Sequence, residues 1–167
     1  MKLWERVIER RLQKNILISE KQFGFRRGKS TIEAIYLLRR FMGLYKDRKV
    51  DLYMVFIDLE KASDRVSCEV LLRCLEKNGV SSVYIRVIKD MYEGVRTSVR
   101  RPGSVTNDFY VGMGLYQGST LSHFLFTLVT DELTKGIQDE PSWCMLLVDH
   151  IVLIDETRER VNDKLER

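Results

Sequence analysis

The sequence predicts an α+β protein, on three observations. Helix caps and helix-spaced apolar stripes recur in several segments. Six consecutive apolar residues, Leu52 to Ile57, end abruptly at Asp58, which reads as a strand. Near the C-terminus two apolar runs are separated only by Asp149-His150, the length of a tight antiparallel hairpin. Helices mixed with antiparallel strands give the α+β class.

The elements follow in order. Residues 2–14 read as a charged helix whose apolar contribution is Leu3, Val7 and Leu12. Glu20 to Gly28 is a loop punctuated by Gly24 and Gly28. Ser30 and Glu33 form a capping box, which opens a helix with Ile35, Leu38, Met42 and Tyr45 as its packing stripe. The run Leu52 to Ile57, apolar at every position, predicts a strand covered on both faces at a sheet centre. Ser67 caps a helix that stops at Gly79, with Leu71, Leu72 and Leu75 inside. Ser81 or Ser82 opens another, with Ile85, Ile88 and Tyr92 on one face. Val95 to Arg100 and Phe109 to Val111 form a hairpin around Pro102-Gly103. Gly118 to about Ile137 reads as a long helix burying Leu121, Phe124, Leu125, Leu128 and Leu133. Trp143 to Val148 and Ile151 to Ile154 are the strands of the final hairpin, and Asp155 to Arg167 holds one short helix.

Composition narrows the function. A length of 167 residues is about one domain. No stretch approaches the ~18 apolar residues of a membrane span, and Met1-Lys-Leu-Trp-Glu has no apolar signal core, so an intracellular protein is expected. Cys68, Cys74 and Cys144 lack metal-ligand spacing and read as reduced thiols. With 2 histidines and no Cys/His cluster, a zinc site is not expected. The net charge of +4 permits a nucleic-acid partner without requiring one. Arg26, Arg27 and Lys29, and Arg96, Arg100 and Arg101, are candidate phosphate contacts, although a solvated surface charge is the plain reading of each. Gly24-Phe-Arg-Arg-Gly-Lys-Ser30 is not a P-loop, because its glycines stand one residue too close.

Two carboxylates stand out. Asp58 ends an apolar strand and Asp149 sits at a hairpin tip. In one sheet the two can converge at one edge, which suits a hard cation such as magnesium. Two metals about 4 Å apart between such groups are the phosphoryl-transfer site of polymerases and nucleases. The plain alternative is a helix-capping aspartate and a turn-forming one.

The surrounding words decide between these readings. Phe56-Ile-Asp-Leu-Glu-Lys-Ala-Ser-Asp-Arg-Val66, Gly114-Leu-Tyr-Gln-Gly-Ser-Thr-Leu-Ser122 and Leu146-Leu-Val-Asp-His-Ile-Val-Leu-Ile154 resemble, in order, the three palm motifs of non-LTR reverse transcriptases. Gln22-Phe-Gly-Phe-Arg-Arg-Gly-Lys-Ser-Thr31 resembles that family's fingers word. The resemblance covers nearly the whole chain. It implies a right-hand polymerase palm over residues 51–167, with an antiparallel sheet packed on helices, and a fingers remnant over residues 1–50. It implies Asp58, the backbone oxygen of Leu59 and Asp149 as ligands of two magnesium ions. Gln117 and Gly118 would shape the nucleotide and template surface, with Ser63, Arg26 and Lys29 also touching substrate. The implied partners are an RNA template, a DNA primer and deoxynucleoside triphosphates. The primer 3′-hydroxyl would attack the nucleotide α-phosphate. The family's life cycle implies a nuclear location.

Four positions depart from the family pattern. His150 stands where the second hairpin aspartate is expected, and imidazole is a poor magnesium ligand. One unit charge at 4 Å and an effective dielectric near 20 is about 4 kcal/mol, or roughly a thousandfold in rate. Ser63 replaces the aromatic that blocks a ribose 2′-hydroxyl. His123 replaces a proline, and Val148 replaces a small alanine, adding volume beside the site. The resemblance also implies that the preceding fingers word and the thumb lie outside residues 1–167. Little or no polymerase activity is therefore expected. The alternatives are a non-catalytic nucleic-acid-binding module and a retroelement remnant without function.

Overall fold

The computed structural model describes residues 2–26, 28–138 and 143–166. Arg27 lies outside the described residues. The helices are α1 (Lys2–Asn15), α2 (Thr31–Arg48), α3 (Ala62–Arg65), α4 (Cys68–Lys77), α5 (Ser82–Tyr92), α6 (Thr120–Leu133), α7 (Lys135–Gln138) and α8 (Arg158–Leu165). The strands are β1 (Tyr53–Asp58), β2 (Arg96–Thr97), β3 (Arg100–Arg101), β4 (Ser104–Val105), β5 (Phe109–Tyr110), β6 (Trp143–Leu147) and β7 (His150–Asp155). Helices and antiparallel strands are mixed, as expected. The chain forms two compact units, residues 1–16 with 63–122, and residues 17–62 with 123–167.

The second unit is built on an antiparallel sheet in the order β1-β7-β6. The central strand is β7, whose Ile151 to Asp155 are all buried. The expectation that Leu52 to Ile57 forms the sheet centre is wrong. Among the described residues β1 pairs only with β7, and Phe56 is 64% exposed. A continuous apolar run matches an edge strand too when its outward side chains are aromatic and partly wetted. One face of the sheet packs Met145, Val152 and Ile154, together with Phe23 of the loop before α2, against Ala34, Leu37, Leu38 and Phe41 of α2. The other face buries Cys144, Leu146, Ile151 and Leu153. On α2 the inward stripe is therefore Ala34, Leu37, Leu38 and Phe41, one position off the expected one, and Ile35 and Met42 are exposed. Ser30 caps this helix, its Oγ accepting from Glu33 N at 3.1 Å.

The loop before α2 is tied to β6. Leu146 N donates to Lys21 O at 2.9 Å and Phe23 N donates to Leu146 O at 2.8 Å. This carries Gly24 against the hairpin tip, where a Cβ would lie 2.3 Å from Val148 N. Only glycine fits there. The tip is shifted by one residue from the expected turn. Leu147 pairs with His150, so the loop is Val148-Asp149 and His150 begins β7. Val148 takes φ +60, a left-handed backbone that a β-branched residue rarely adopts.

In the first unit α1 buries Glu5, Ile8 and Leu12, at the spacing of one helix face. Leu3, expected inside, is 77% exposed, and Val7 is also exposed. Glu5 is buried as a hydrogen-bonded carboxylate, its Oε2 accepting from Ser119 Oγ at 2.8 Å. Caps at Ser67 and Ser81 open α4 and α5. Leu71 and Leu75 of α4 and Ile88 of α5 are buried. The hairpin around Pro102-Gly103 is present as two short ladders, β2 with β5 and β3 with β4.

The long helix is shorter than expected. Gly118 has φ +78 and cannot be helical, so α6 begins at Thr120 behind Ser119, whose Oγ accepts from Ser122 N at 3.3 Å. It ends at Leu133, which is 69% exposed and not buried as expected. Leu121, Phe124, Leu125 and Leu128 are buried.

Candidate active site

Asp58 and Asp149 are brought together by the pairing of β1 with β7. Antiparallel register sets Asp58 opposite His150. Leu59 N then donates to Asp149 O at 2.9 Å, clamping the end of β1 to the hairpin tip. The Leu59 carbonyl accepts from Ala62 N at 3.2 Å and has a second lone pair.

His150 completes the cluster. Its Nδ1 lies 2.7 Å from Asp149 Oδ1, and its Nε2 lies 3.9 Å from Asp58 Oδ1. An ionised carboxylate only accepts, so Nδ1–H donates to Asp149. One donor atom from each of Asp58, Asp149 and His150 lies within 4.8 Å of the other two. The site is open: the side chains of Asp58, His150 and Asp149 are 73%, 55% and 48% exposed. Two carboxylates and an imidazole on an anchored strand pair can hold one divalent cation. They do not match a pair of magnesium ions, because the third donor is nitrogen.

The other expected site residues divide between the units. In the unit of residues 17–62 and 123–167, Arg26 and Lys29 both face Glu20. Arg26 donates to Glu20 Oε1 at 2.6 Å and to Ser19 O at 2.7 Å. Lys29 Nζ is 3.4 Å from Glu20 Oε2 and 5.1 Å above the Phe23 ring. The Arg26 hydrogen bond, with its charge and Lys29, holds the Glu20 carboxyl below the usual carboxylate range. Both cations thus already have an anionic partner. Phe25 has φ +53 and stacks on His123 with ring centroids 4.2 Å apart. No spacing rule exposes that pair, because Phe25 lies in a loop.

Ser63, Gln117 and Gly118 belong to the other unit. There the chain after the first motif runs beside the chain entering the second. Leu115 N donates to Ser63 O and Gly114 N to Val66 O, both at 2.9 Å. Gly114 has φ +97, and a Cβ on it would lie 3.1 Å from Asp64 O. Gln117 is exposed at a cavity of about 590 Å³ also lined by Ser67, Cys68, Tyr92 and Tyr116. Burial pushes the Tyr92 and Tyr116 hydroxyls up. Gly118 is required by its φ alone, since a Cβ there would meet nothing within 4 Å. Glu5 and Ser119 were not legible as a pair. The helical spacing of Glu5 with Ile8 and Leu12 was the signal that the carboxylate faces inward.

Comparison with known proteins agrees with the four motifs. A family model described as reverse transcriptase (RNA-dependent DNA polymerase) matches residues 1–167. The Pol polyprotein of the type-1 retrotransposable element R2 of Popillia japonica is 29% identical over 141 residues, covering 84% of this chain and 20% of that protein. The probable RNA-directed DNA polymerase from transposon BS of Drosophila melanogaster is 34% identical over 136 residues, covering 79% of this chain and 15% of that protein. The chain thus spans a fifth or less of the length of these relatives. Among solved structures, apo telomerase from Candida tropicalis, truncated from its C-terminal domain, has a TM-score of 0.69 at 18% identity, over 99% of this chain and 36% of that chain. The telomerase of the same organism in complex with a telomeric RNA fragment has a TM-score of 0.70 at 16% identity, over 99% of this chain and 30% of that chain. At these identities the structural likeness concerns the fold.

Proposed function

The chain belongs to the reverse transcriptase (RNA-dependent DNA polymerase) family, with relatives in non-LTR retrotransposons, and we propose that it is a weakened copy of that polymerase's catalytic region. In this reading residues 51–167 are the palm and residues 1–50 contribute to the fingers. Asp58 and Asp149, with the backbone oxygen of Leu59, are the carboxylate centre. The convergence of Asp58 and Asp149 at one sheet edge carries the proposal. Gln117 and Gly118 shape the surface for the incoming nucleotide, and Ser63 leaves the sugar edge open. Arg26 and Lys29 reach phosphate only by exchanging Glu20 for it. The proposed partners are an RNA template, a DNA primer and deoxynucleoside triphosphates, and the proposed location is the nucleus. Among the described residues no helix is long and apolar enough to cross a membrane.

The centre is weakened by charge. His150 removes one negative charge 3.9 Å from Asp58. In the open site, where water screens strongly, that charge is worth about 1 kcal/mol, and under bound nucleic acid that excludes water about 4 kcal/mol. The rate loss therefore lies between roughly fivefold and a thousandfold. Because imidazole does not suit the family's pair of magnesium ions, the residues here support positioning and binding rather than full turnover.

A second reading, nucleic-acid binding without catalysis, is favoured by the exposed hairpin bearing Arg96, Arg100 and Arg101. Extension of a DNA primer on an RNA template, with magnesium, tests the proposal. The expected result is trace incorporation that Asp58→Asn abolishes. Robust incorporation, or trace incorporation indifferent to Asp58→Asn, overturns it.

A further inference from the structure

We propose that Glu5 is a positioning residue for the incoming nucleotide, because its hydrogen bond to Ser119 fixes one end of the exposed Gln117–Gly118 turn. This rests on the reading of Gln117 and Gly118 as nucleotide surface. Those two residues stand exposed between fixed ends. On the near side Leu115 is buried, and the Tyr116 hydroxyl donates to the Met91 carbonyl of α5 at 2.6 Å. The Tyr116 ring stacks on Tyr92 with centroids 4.7 Å apart. On the far side Ser119 is buried, and its Oγ donates to Glu5 Oε2 at 2.8 Å. A Cβ on Gly118 would meet nothing within 4 Å, so packing does not hold this residue and the two ends set the turn.

The chemistry of the far end explains why a carboxylate stands at position 5. Ser119 Oγ has one proton to give, and it also accepts from Ser122 N at 3.3 Å. A backbone N–H only donates and an ionised carboxylate only accepts, so the hydroxyl has a single orientation. Hydrogen bonds to a carboxylate are about twice as strong as neutral ones. Packing alone does not call for a charge here. Ile8 and Leu12, buried on the same face of α1, are apolar, and a buried acid costs stability unless it is hydrogen-bonded. Tyr92 links the two ends, since its ring lies on Tyr116 and its hydroxyl is 2.9 Å from Ser122 Oγ. Burial, with the Glu5 charge added, raises the Tyr116 hydroxyl and keeps it protonated as the donor to Met91.

The test measures single-nucleotide addition to a DNA primer on an RNA template over a range of deoxynucleoside triphosphate concentrations. It uses the full chain carrying His150→Asp, and assays each variant well below its own melting temperature. Where chemistry is slow, KM reports nucleotide binding. Glu5→Ala and Ser119→Ala are each expected to raise the nucleotide KM about tenfold, with the maximal rate within about twofold. Glu5→Gln keeps an acceptor without the charge, so a rise of roughly threefold is expected. Combining Glu5→Ala with Ser119→Ala should raise KM no further, because both act through one bond. A carboxylate with a structural role alone would lower the folded fraction, and with it the maximal rate, at an unchanged KM. An unchanged KM in Glu5→Gln or in Ser119→Ala overturns the proposal. Gln117→Ala separates this inference from the reading beneath it. If KM rises in Gln117→Ala but not in the Glu5 variants, the nucleotide surface stands and the role of Glu5 falls. If it rises in none of them, or if the His150→Asp chain incorporates no nucleotide, both fall.

Discussion

Adding one methyl group at Gly24 is expected to have the opposite effect from adding it at Gly43. An alanine Cβ at Gly24 would sit 2.3 Å from Val148 N, 2.6 Å from Val148 Cγ2 and 3.0 Å from Val148 Cα. The obstacle is backbone, so relief requires displacing the hairpin tip or the Gln22–Gly24 segment. Overpacking of this kind costs about 1–3 kcal/mol. The displacement also strains the bonds from Phe23 N and Gly24 N to Leu146 O, at 2.8 and 3.4 Å, each worth about 1 kcal/mol. A loss of about 3 kcal/mol lowers the melting temperature of a chain this size by about 6–12 °C. Gly43 lies within α2, where a Cβ would meet nothing within 4 Å. Gly43→Ala gains about 0.5–1 kcal/mol of helix stability, a rise of about 1–4 °C. Thermal unfolding followed by circular dichroism reads both variants. A Gly24→Ala protein melting with the wild type would refute the contact between the fingers word and the tip.

Other consequences concern separate parts of the molecule. Ser119→Ala removes the donor to the buried Glu5 carboxylate and the cap of α6, so a loss of about 2 kcal/mol is expected in urea unfolding. A loss below about 0.5 kcal/mol would mean that water replaces the hydroxyl. The paired change Arg100→Gln and Arg101→Gln on the exposed hairpin is expected to reduce the salt slope of single-stranded RNA binding by about 1.4, leaving Arg96 on the Tyr110 ring in place. An unchanged slope removes these arginines from the interface. Burial raises the Cys144 thiol to about 11. The unfolded thiol ionises first, near pH 9, so folded stability falls as pH rises from about 9 towards 11, by up to about 1.4 kcal/mol per unit. Cys144→Ala should flatten that slope in pH-dependent unfolding, and an unaltered slope assigns it to other groups.

Local chemistry was the most legible layer of this sequence. Ser30 and Ser67 cap the helices they were expected to cap, and of the two serines offered for α5 it is Ser81 that caps, because capping involves residues within one turn. Strand position was illegible, because an edge strand and a central one differ in their neighbours. Leu52 to Ile57 carries no mark of which side β7 occupies. The α2 stripe slipped by one residue because Ile35 and Met42 are as apolar as Ala34 and Phe41, and only the sheet opposite decides between the faces. The turn slipped because Val148 occupies a left-handed position that composition assigns to glycine or asparagine. Asp58 and Asp149 were legible as a pair through the family words, and their convergence follows from antiparallel pairing. The hydrogen bond between His150 and Asp149 was not, since the sequence shows the lost charge but not where the imidazole points.

The most direct test of the weakened centre is the rate of single-nucleotide addition to a DNA primer on an RNA template, with magnesium, for the wild type and for His150→Asp. Restoring a charge 3.9 Å from Asp58 is expected to raise the rate by at least about fivefold and by up to roughly a thousandfold, with Asp58→Asn silencing both proteins. A wild type that extends the primer as fast as His150→Asp would contradict it.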